Sequence, residues 1–206
     1  MGQYYHVITD DKNGNREYFN IQNRKWLESK LSGSPNYDYY NGLKLMEHSW
    51  IGNDFCEALA ARLVDNPKRV CWVGDYAEPE ECDDLGFTYD EVWERSDDDY
   101  IYVDETDFKM MKDVKYLINN TKKIYVDLAE YFKLSNKLEE WNRKMKDWCI
   151  FPISLLTALG NDRGGGDFHE GNVGYEDVGT WAFDEIYLTN NLPEGYNKVD
   201  VVFIED

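Results

Sequence analysis

The thirteen residues from Gly160 to Asn172 hold three successive glycines, Gly164, Gly165 and Gly166, with Arg163 before them and Asp167, His169 and Glu170 after. Consecutive glycines let the backbone take positive φ and turn several N–H groups into one concavity, which suits an anion. Arg163 would add charge there, while Asp167, His169 and Glu170 bring acid/base or metal-ligating capacity. One chemistry open to this spacing is the binding of a phosphate-bearing small molecule or nucleotide, or its hydrolysis with help from His169. The run is not a Walker A loop, since no Lys-Ser or Lys-Thr follows. Nor is it a dinucleotide fingerprint, whose second half is missing. The competing reading is a flexible hairpin tip between two strands, rich in turn residues.

A second constellation is electrostatic. Between Asp75 and Asp107 stand fifteen Asp or Glu residues against one base, Arg95, a local charge of −14 out of the chain's −19. Acidic tracts that stay disordered are poor in aromatics, yet this one holds Tyr76, Phe87, Tyr89, Trp93, Tyr100 and Tyr102. The composition therefore predicts an ordered acidic surface. Glu91, Glu94, Asp97, Asp98 and Asp99 could place carboxylates at intervals resembling phosphates along a nucleic-acid strand, with Tyr100 and Tyr102 supplying stacking rings. Its partner would be a basic protein surface, such as that of a host nucleic-acid-binding effector. The bland alternatives are a solvated acidic face and neutralisation within the chain by the segment from Lys109 to Lys146, where ten bases stand against five acids.

Other residue types exclude more than they support. A net charge of −19 argues against direct contact with a nucleic-acid backbone, whose affinity comes from Lys and Arg. No apolar run approaches a membrane span. His48 follows Glu47 and could do acid/base work, but neighbours on a strand face opposite sides; His6 reads as structural. A metal site would need His48, His169 and Asp75 or Asp167 to converge from distant segments, and no ligand spacing supports it. No G-x-S-x-G elbow is present. No cofactor is implied. The four cysteines, Cys56, Cys71, Cys82 and Cys149, show no C-x-x-C pair and follow no signal peptide, which predicts a reduced, cytoplasmic protein with Cys56 and Cys71 buried.

Positioning these groups requires a scaffold, and its elements are partly legible. Gln3–Thr9 and Arg16–Ile21 flank Asn13-Gly14, a hairpin pattern. A polar stretch follows, with a short helix near Trp26 and an exposed loop to Tyr40. Asn53 or Asp54 can cap a helix carrying Phe55, Leu59 and Leu63, stopped by Asn66-Pro67. Arg69–Val73 reads as a buried strand, Tyr89–Arg95 as a short helix, and Tyr100–Val103 as a strand. Lys115–Ile118 and Lys123–Leu128 form a second strand pair, and Leu134–Trp148 has the spacing of an amphipathic helix. Val178–Leu188 alternates as a strand with Trp181, Phe183 and Tyr187 inward, and Val199–Ile204 reads as a last strand. Together they predict one compact α+β domain over residues 1–206, with a mainly antiparallel sheet, two or three helices, and residues 75–107 as an inserted or surface subregion.

Four segments add a resemblance: Met1-Gly2-Gln3-Tyr4-Tyr5, Gly42 through Ser49, Trp72-Val73-Gly74-Asp75-Tyr76-Ala77, and Leu155–Ala158 with Gly160–Asp167. They are similar to a family of uncharacterised small proteins from bacteria and their phages. The resemblance implies a bacterial or phage setting and carries no activity or catalytic residue. A phage setting would favour an inhibitor of host defence, of the anti-CRISPR kind, acting through the acidic face.

Overall fold

The computed structural model describes residues 2–20, 44–49, 51, 53–95, 100–102, 114–137 and 149–205. The first hairpin forms as the sequence predicts. The strands Tyr5–Asp11 (β1) and Arg16–Asn20 (β2) pair antiparallel, Val7 opposite Phe19. At their turn the Asp11 carboxylate accepts the N–H groups of Asn13 and Asn15, and Gly14 takes φ +79°. The other side of β1 pairs antiparallel along its whole length with Lys68–Gly74 (β3).

The helix Leu45–His48 (α1) is a single turn. Asp54–Leu63 (α2) starts where Asn53 accepts the N–H groups of Phe55 and Cys56, as the capping pattern predicts. Pro79–Leu85 (α3) and Tyr89–Trp93 (α4) fill the acidic block, and Ile101–Tyr102 (β4) adds parallel to β2. Tyr116–Asn119 (β5) and Ile124–Asp127 (β6) make the second predicted hairpin, followed by the helix Leu128–Lys137 (α5). After Pro152–Leu156 (α6) come the short strands Ala158–Leu159 (β7), Glu185–Thr189 (β8) and Asn197–Lys198 (β9). The nine strands among the described residues lie in one mixed, mostly antiparallel sheet ordered β4-β2-β1-β3-β8-β5-β6-β9, with β7 parallel to β3. The α+β class is as expected, with more helical segments among the described residues than two or three.

Side-chain alternation along the central strands explains the layers. Tyr5 and Val7 of β1, Val70 and Trp72 of β3, and Phe19 of β2 point into the larger core, against Phe55, Leu59 and Leu63 of α2, Tyr131 of α5 and Ile153 of α6. Ile8, Cys71, Val73 and Tyr18 point the other way, into a second core closed by Cys82 of α3, Phe87, Val92 of α4, and Tyr100. The described part of the acidic block, with α3 and α4, is the outer layer over the second face of the sheet.

Three expectations are corrected. The strand predicted at Val178 begins at Glu185; residues 180–183 are turns, where Phe183 takes φ +59°. Trp181 and Phe183 are buried, but the inward residues of β8 are Ile186 and Leu188. At the C-terminus only Asn197–Lys198 and an isolated bridge from Ile204 to Val173 pair, so no strand runs from Val199 to Ile204. The helix predicted from Leu134 starts earlier, at Leu128, because the chain turns directly out of β6; Leu138–Trp148, and the stretch through Tyr40, lie outside the described residues.

Backbone geometry makes one comparison sharp. Gly14 and Gly174 both lie in the left-handed region, but a Cβ at Gly14 would meet open space and one at Gly174 would overlap the Val202 carbonyl. Gly14→Ala is expected to cost about 1 kcal/mol and Gly174→Ala roughly 3 kcal/mol or more, measured as urea unfolding free energies.

Candidate functional site

Two short helices present the acidic residues, and each is started by its own glutamate. In α4 the Thr88 hydroxyl accepts the Glu91 N–H at 3.2 Å while the Glu91 carboxylate accepts the Thr88 N–H at 2.7 Å, a capping box legible as Thr88-x-x-Glu91. In α3 the Glu81 carboxylate reaches back to the Glu78 N–H at 2.8 Å, Pro79 sits in the first turn, and Gly86 ends the helix at φ +88°.

These same glutamates take the neutralising arginines. Arg163 donates to both oxygens of Glu81, at 2.8 and 2.5 Å, and to the Tyr76 carbonyl at 2.9 Å. Arg16 donates to Glu91 at 3.3 Å, to the Gly86 carbonyl at 3.2 Å, and by two bonds to the buried carboxylate of Asp10. Arg69 supplies a second cation to Asp10 at 2.9 Å and lies over the ring of Phe183, 4.6 Å from its centroid. The arginine hydrogen bond holds the Glu81 carboxyl below its ordinary range, and the Thr88 N–H does the same for Glu91.

Among the described residues, Arg16 and Arg163 neutralise carboxylates of the acidic block. In the segment from Lys109 to Lys146, the described ion pairs are Lys122 to Asp184 at 2.6 Å and Glu130 to Lys198, neither with the acidic block. Glu78, Glu80, Asp83, Asp84, Asp90 and Glu94 are exposed on the two helices or at their ends, and among the described residues the ion pair recorded for them is Arg163 to Glu78 at 4.0 Å.

The predicted partner-binding residues separate on this framework. Glu94 is exposed at the end of α4, and Glu91 is half-buried and held by Arg16. Tyr100 is 7% exposed, its hydroxyl donating to the Val92 carbonyl at 2.6 Å and its ring edge-on to His6, so it is a core residue and not a stacking surface. Tyr102 lies in β4. Asp97, Asp98 and Asp99 lie outside the described residues.

The glycine loop is neither an open cradle nor a hairpin tip. It follows β7 and packs against the first residues of the chain. Asp167 is 2% exposed, and its carboxylate accepts the N–H groups of Arg163 and Gly164, both at 3.0 Å, and the Tyr5 hydroxyl at 3.2 Å. The anion held by these amides is thus the loop's own. The carbonyls of Gly165 and Gly166 accept the N–H groups of Gln3 and Met46, each at 3.0 Å, and Asn161 bonds both backbone groups of Phe168. Gly164 is required by close approach, because a Cβ there would lie 2.5 Å from that of Gln3. Burial raises the Asp167 carboxyl, and likewise Asp75, which accepts the Tyr4 N–H at 3.0 Å.

On the loop's exposed side, Asp162 accepts from His169 Nδ1 at 2.7 Å and from the Tyr175 hydroxyl at 3.0 Å. The carboxylate orients the imidazole and is itself held low, first by the His169 bond. The side chain of His48 lies outside the described residues. Among the described residues no group of three or more His, Cys, Asp or Glu is placed to hold a metal ion. None of the described helices is long and apolar enough to cross a membrane.

Sequence reasoning passed over Tyr5, Asp10, Arg16 and Glu81. Glu81 had a local signal in its capping position. Asp10 and Arg16 had one as well, opposite charges facing each other across the first hairpin, whereas Tyr5 had none, because its partner Asp167 lies far away in the chain.

No protein-family model matches this chain, and neither does any curated protein or solved structure. The reading therefore rests on the residues themselves.

Asp167→Ala would leave two amides and the buried Tyr5 hydroxyl without their acceptor. A loss of roughly 2–4 kcal/mol in unfolding free energy is expected, with Asp167→Asn losing less. The pH dependence has a definite sign. The folded-state carboxyl is raised, so its contribution is full below the ordinary carboxylate range and is given up as pH rises through the folded value. The wild type should therefore lose more stability than Asp167→Asn across that window in urea titrations.

Proposed function

We propose that this protein binds a basic protein surface through the outer face of α3 and α4, and thereby blocks a surface that would otherwise bind nucleic acid. The observation that carries the reading is the sorting of charge on those helices. Glu81 and Glu91 are tied inward to arginines, whereas Glu78, Glu80, Asp83, Asp84, Asp90 and Glu94 are exposed on a backbone braced by a buried apolar core. Exposed carboxylates crowded on such a support repel one another and add little to folding. Held in place, they give a partner a preformed field with little ordering cost. Steering by such a field raises association rates and weakens as salt screens it.

A bacterial or phage setting, which the four sequence segments favour, makes a host defence effector with a cationic groove a fitting target. The phosphate-ligand reading of the loop from Gly160 to Asn172 has less support. Its amides at Arg163 and Gly164 are occupied by Asp167, and the Arg163 guanidinium is committed to Glu81.

The test is capture of partners from nuclease-treated host lysate by the wild type and by a variant with Glu80, Asp83, Asp84, Asp90 and Glu94 changed to their amides. A specific partner should bind the wild type about tenfold or more tightly, release as salt rises, and be displaced by a DNA duplex. The melting temperature of the variant should be unchanged or higher, since like charges are removed. Equal capture by both proteins, or a captured partner that ignores DNA, would sink the proposal.

A further inference from the structure

His6 belongs to neither candidate site, and it joins the acidic layer to the sheet. It is 1% exposed on β1, on the same face as Ile8. Its ring stacks on Trp93 of α4, with centroids 4.1 Å apart and planes 13° from parallel, and the Tyr100 ring meets it edge-on at 4.8 Å. Nδ1 lies 3.3 Å from the Val92 carbonyl, the group that also accepts the Tyr100 hydroxyl. Only an N–H can donate to a carbonyl, so this contact selects the neutral tautomer protonated at Nδ1. Nε2 is buried with no hydrogen-bond partner, as is Nε1 of Trp93.

We propose that His6 is an acid-sensitive latch, whose protonation frees the α3–α4 layer from the sheet while the larger core stays folded. The imidazolium would need an acceptor at Nε2, and the closed packing supplies none. Taking a proton while closed would leave a charge buried and unpaired.

Among the described residues, the charged groups on the surrounding elements are engaged elsewhere or face solvent. On α4 and its end, Glu91 bonds Arg16, Asp90 and Glu94 are exposed, and Arg95 donates to the Glu91 carbonyl with its guanidinium over Tyr18. Asp10 of β1 binds Arg16 and Arg69, Glu17 of β2 pairs with Lys68 of β3, and Asp75 accepts the Tyr4 N–H. The titratable hydroxyls of Tyr100 and Tyr89 donate to the carbonyls of Val92 and Asp75.

Burial accordingly lowers the His6 pKa from 6.5 to about 4. Opening restores the ordinary value, so the latch is at full strength above pH ~6.5 and weakens as pH falls toward the folded value. The opening constant should rise about tenfold per pH unit across that window, a few-hundred-fold in all, and level off below it. The larger core, on the other face of the sheet, contains no His6 contact of this kind, so the response is local.

Hydrogen exchange read by mass spectrometry, corrected for the intrinsic pH dependence of exchange, tests this on the full chain. Between pH 7 and pH 4.5 the peptides covering residues 79–93 should lose protection by about a hundredfold while those covering β5 and β6 keep theirs. In His6→Phe, which keeps the stack and leaves Val92 bonded to Tyr100, the acid response should vanish. His6→Gln, a smaller neutral replacement, provides the same test should the larger ring disturb packing. Acid opening that persists in both variants, or protection lost equally in β5 and β6, would overturn the latch. Neither result bears on partner binding at neutral pH.

Discussion

A strand pair that is apolar on both faces must be covered twice, and the rest of this structure follows from β1 and β3 being such a pair. Along them Tyr5, Val7, Val70 and Trp72 alternate with Ile8, Cys71 and Val73, all of them buried. Period-two geometry sends these sets to opposite sides of the sheet, so each needs its own layer. The first layer is the conventional one, amphipathic helices with α2 at its centre. The second is built from the most acidic part of the chain. Cys82, Phe87, Val92 and Tyr100 cover the sheet, and the carboxylates between them are left to solvent.

That arrangement sets the electrostatics. Carboxylates nearest the sheet cannot be left both desolvated and alone, and each is met by an arginine: Asp10 by Arg16 across its own hairpin and by Arg69 of β3, and, from distant segments, Glu91 by Arg16 and Glu81 by Arg163. Arg16 carries most of this, since it also caps the end of α3 through the Gly86 carbonyl and lies near the rings of Phe87 and Phe183. Arg163 joins the acidic layer to the glycine loop. The two regions that compete as candidate sites in the sequence are therefore one connected assembly, in which the loop serves the acidic helices as a buttress. The loop's glycines allow close backbone packing against Gln3 and Met46, and the anion its amides hold is supplied from within, by Asp167.

Both hairpins, the capped helix α2, the buried strand β3 and the short helix α4 could be read directly from the residues. Each depends on neighbours within a few positions, such as an Asn-Gly turn, an Asn cap, or an apolar residue at every fourth position. The strand expected from Val178 shows the limit of that approach. Its alternation of Trp181 and Phe183 with polar residues is real, and both rings are buried, but turns bury them, with Phe183 at positive φ beneath Arg69. Alternating burial has more than one backbone solution. The acidic block reads as an ordered surface because of its aromatics. Which of those aromatics face inward was hidden, since Tyr100 is buried against His6 of β1 while Tyr89 is only partly buried, a difference set by tertiary contacts.

The sequence by itself determined the α+β class, the local elements, and the existence of an ordered, strongly acidic segment, because those properties are set by spacing and composition within short windows. The tertiary structure alone decided which carboxylates are spent on Arg16 and Arg163 and which remain exposed. It also decided that Asp167 fills its own loop, and that His6 is sealed beneath Trp93. The arginine pairings, the burial of Asp167 beneath Tyr5 and the sealing of His6 depend on contacts between segments far apart in the chain, where position in three dimensions, and not residue type, sets the local dielectric and the choice of partner.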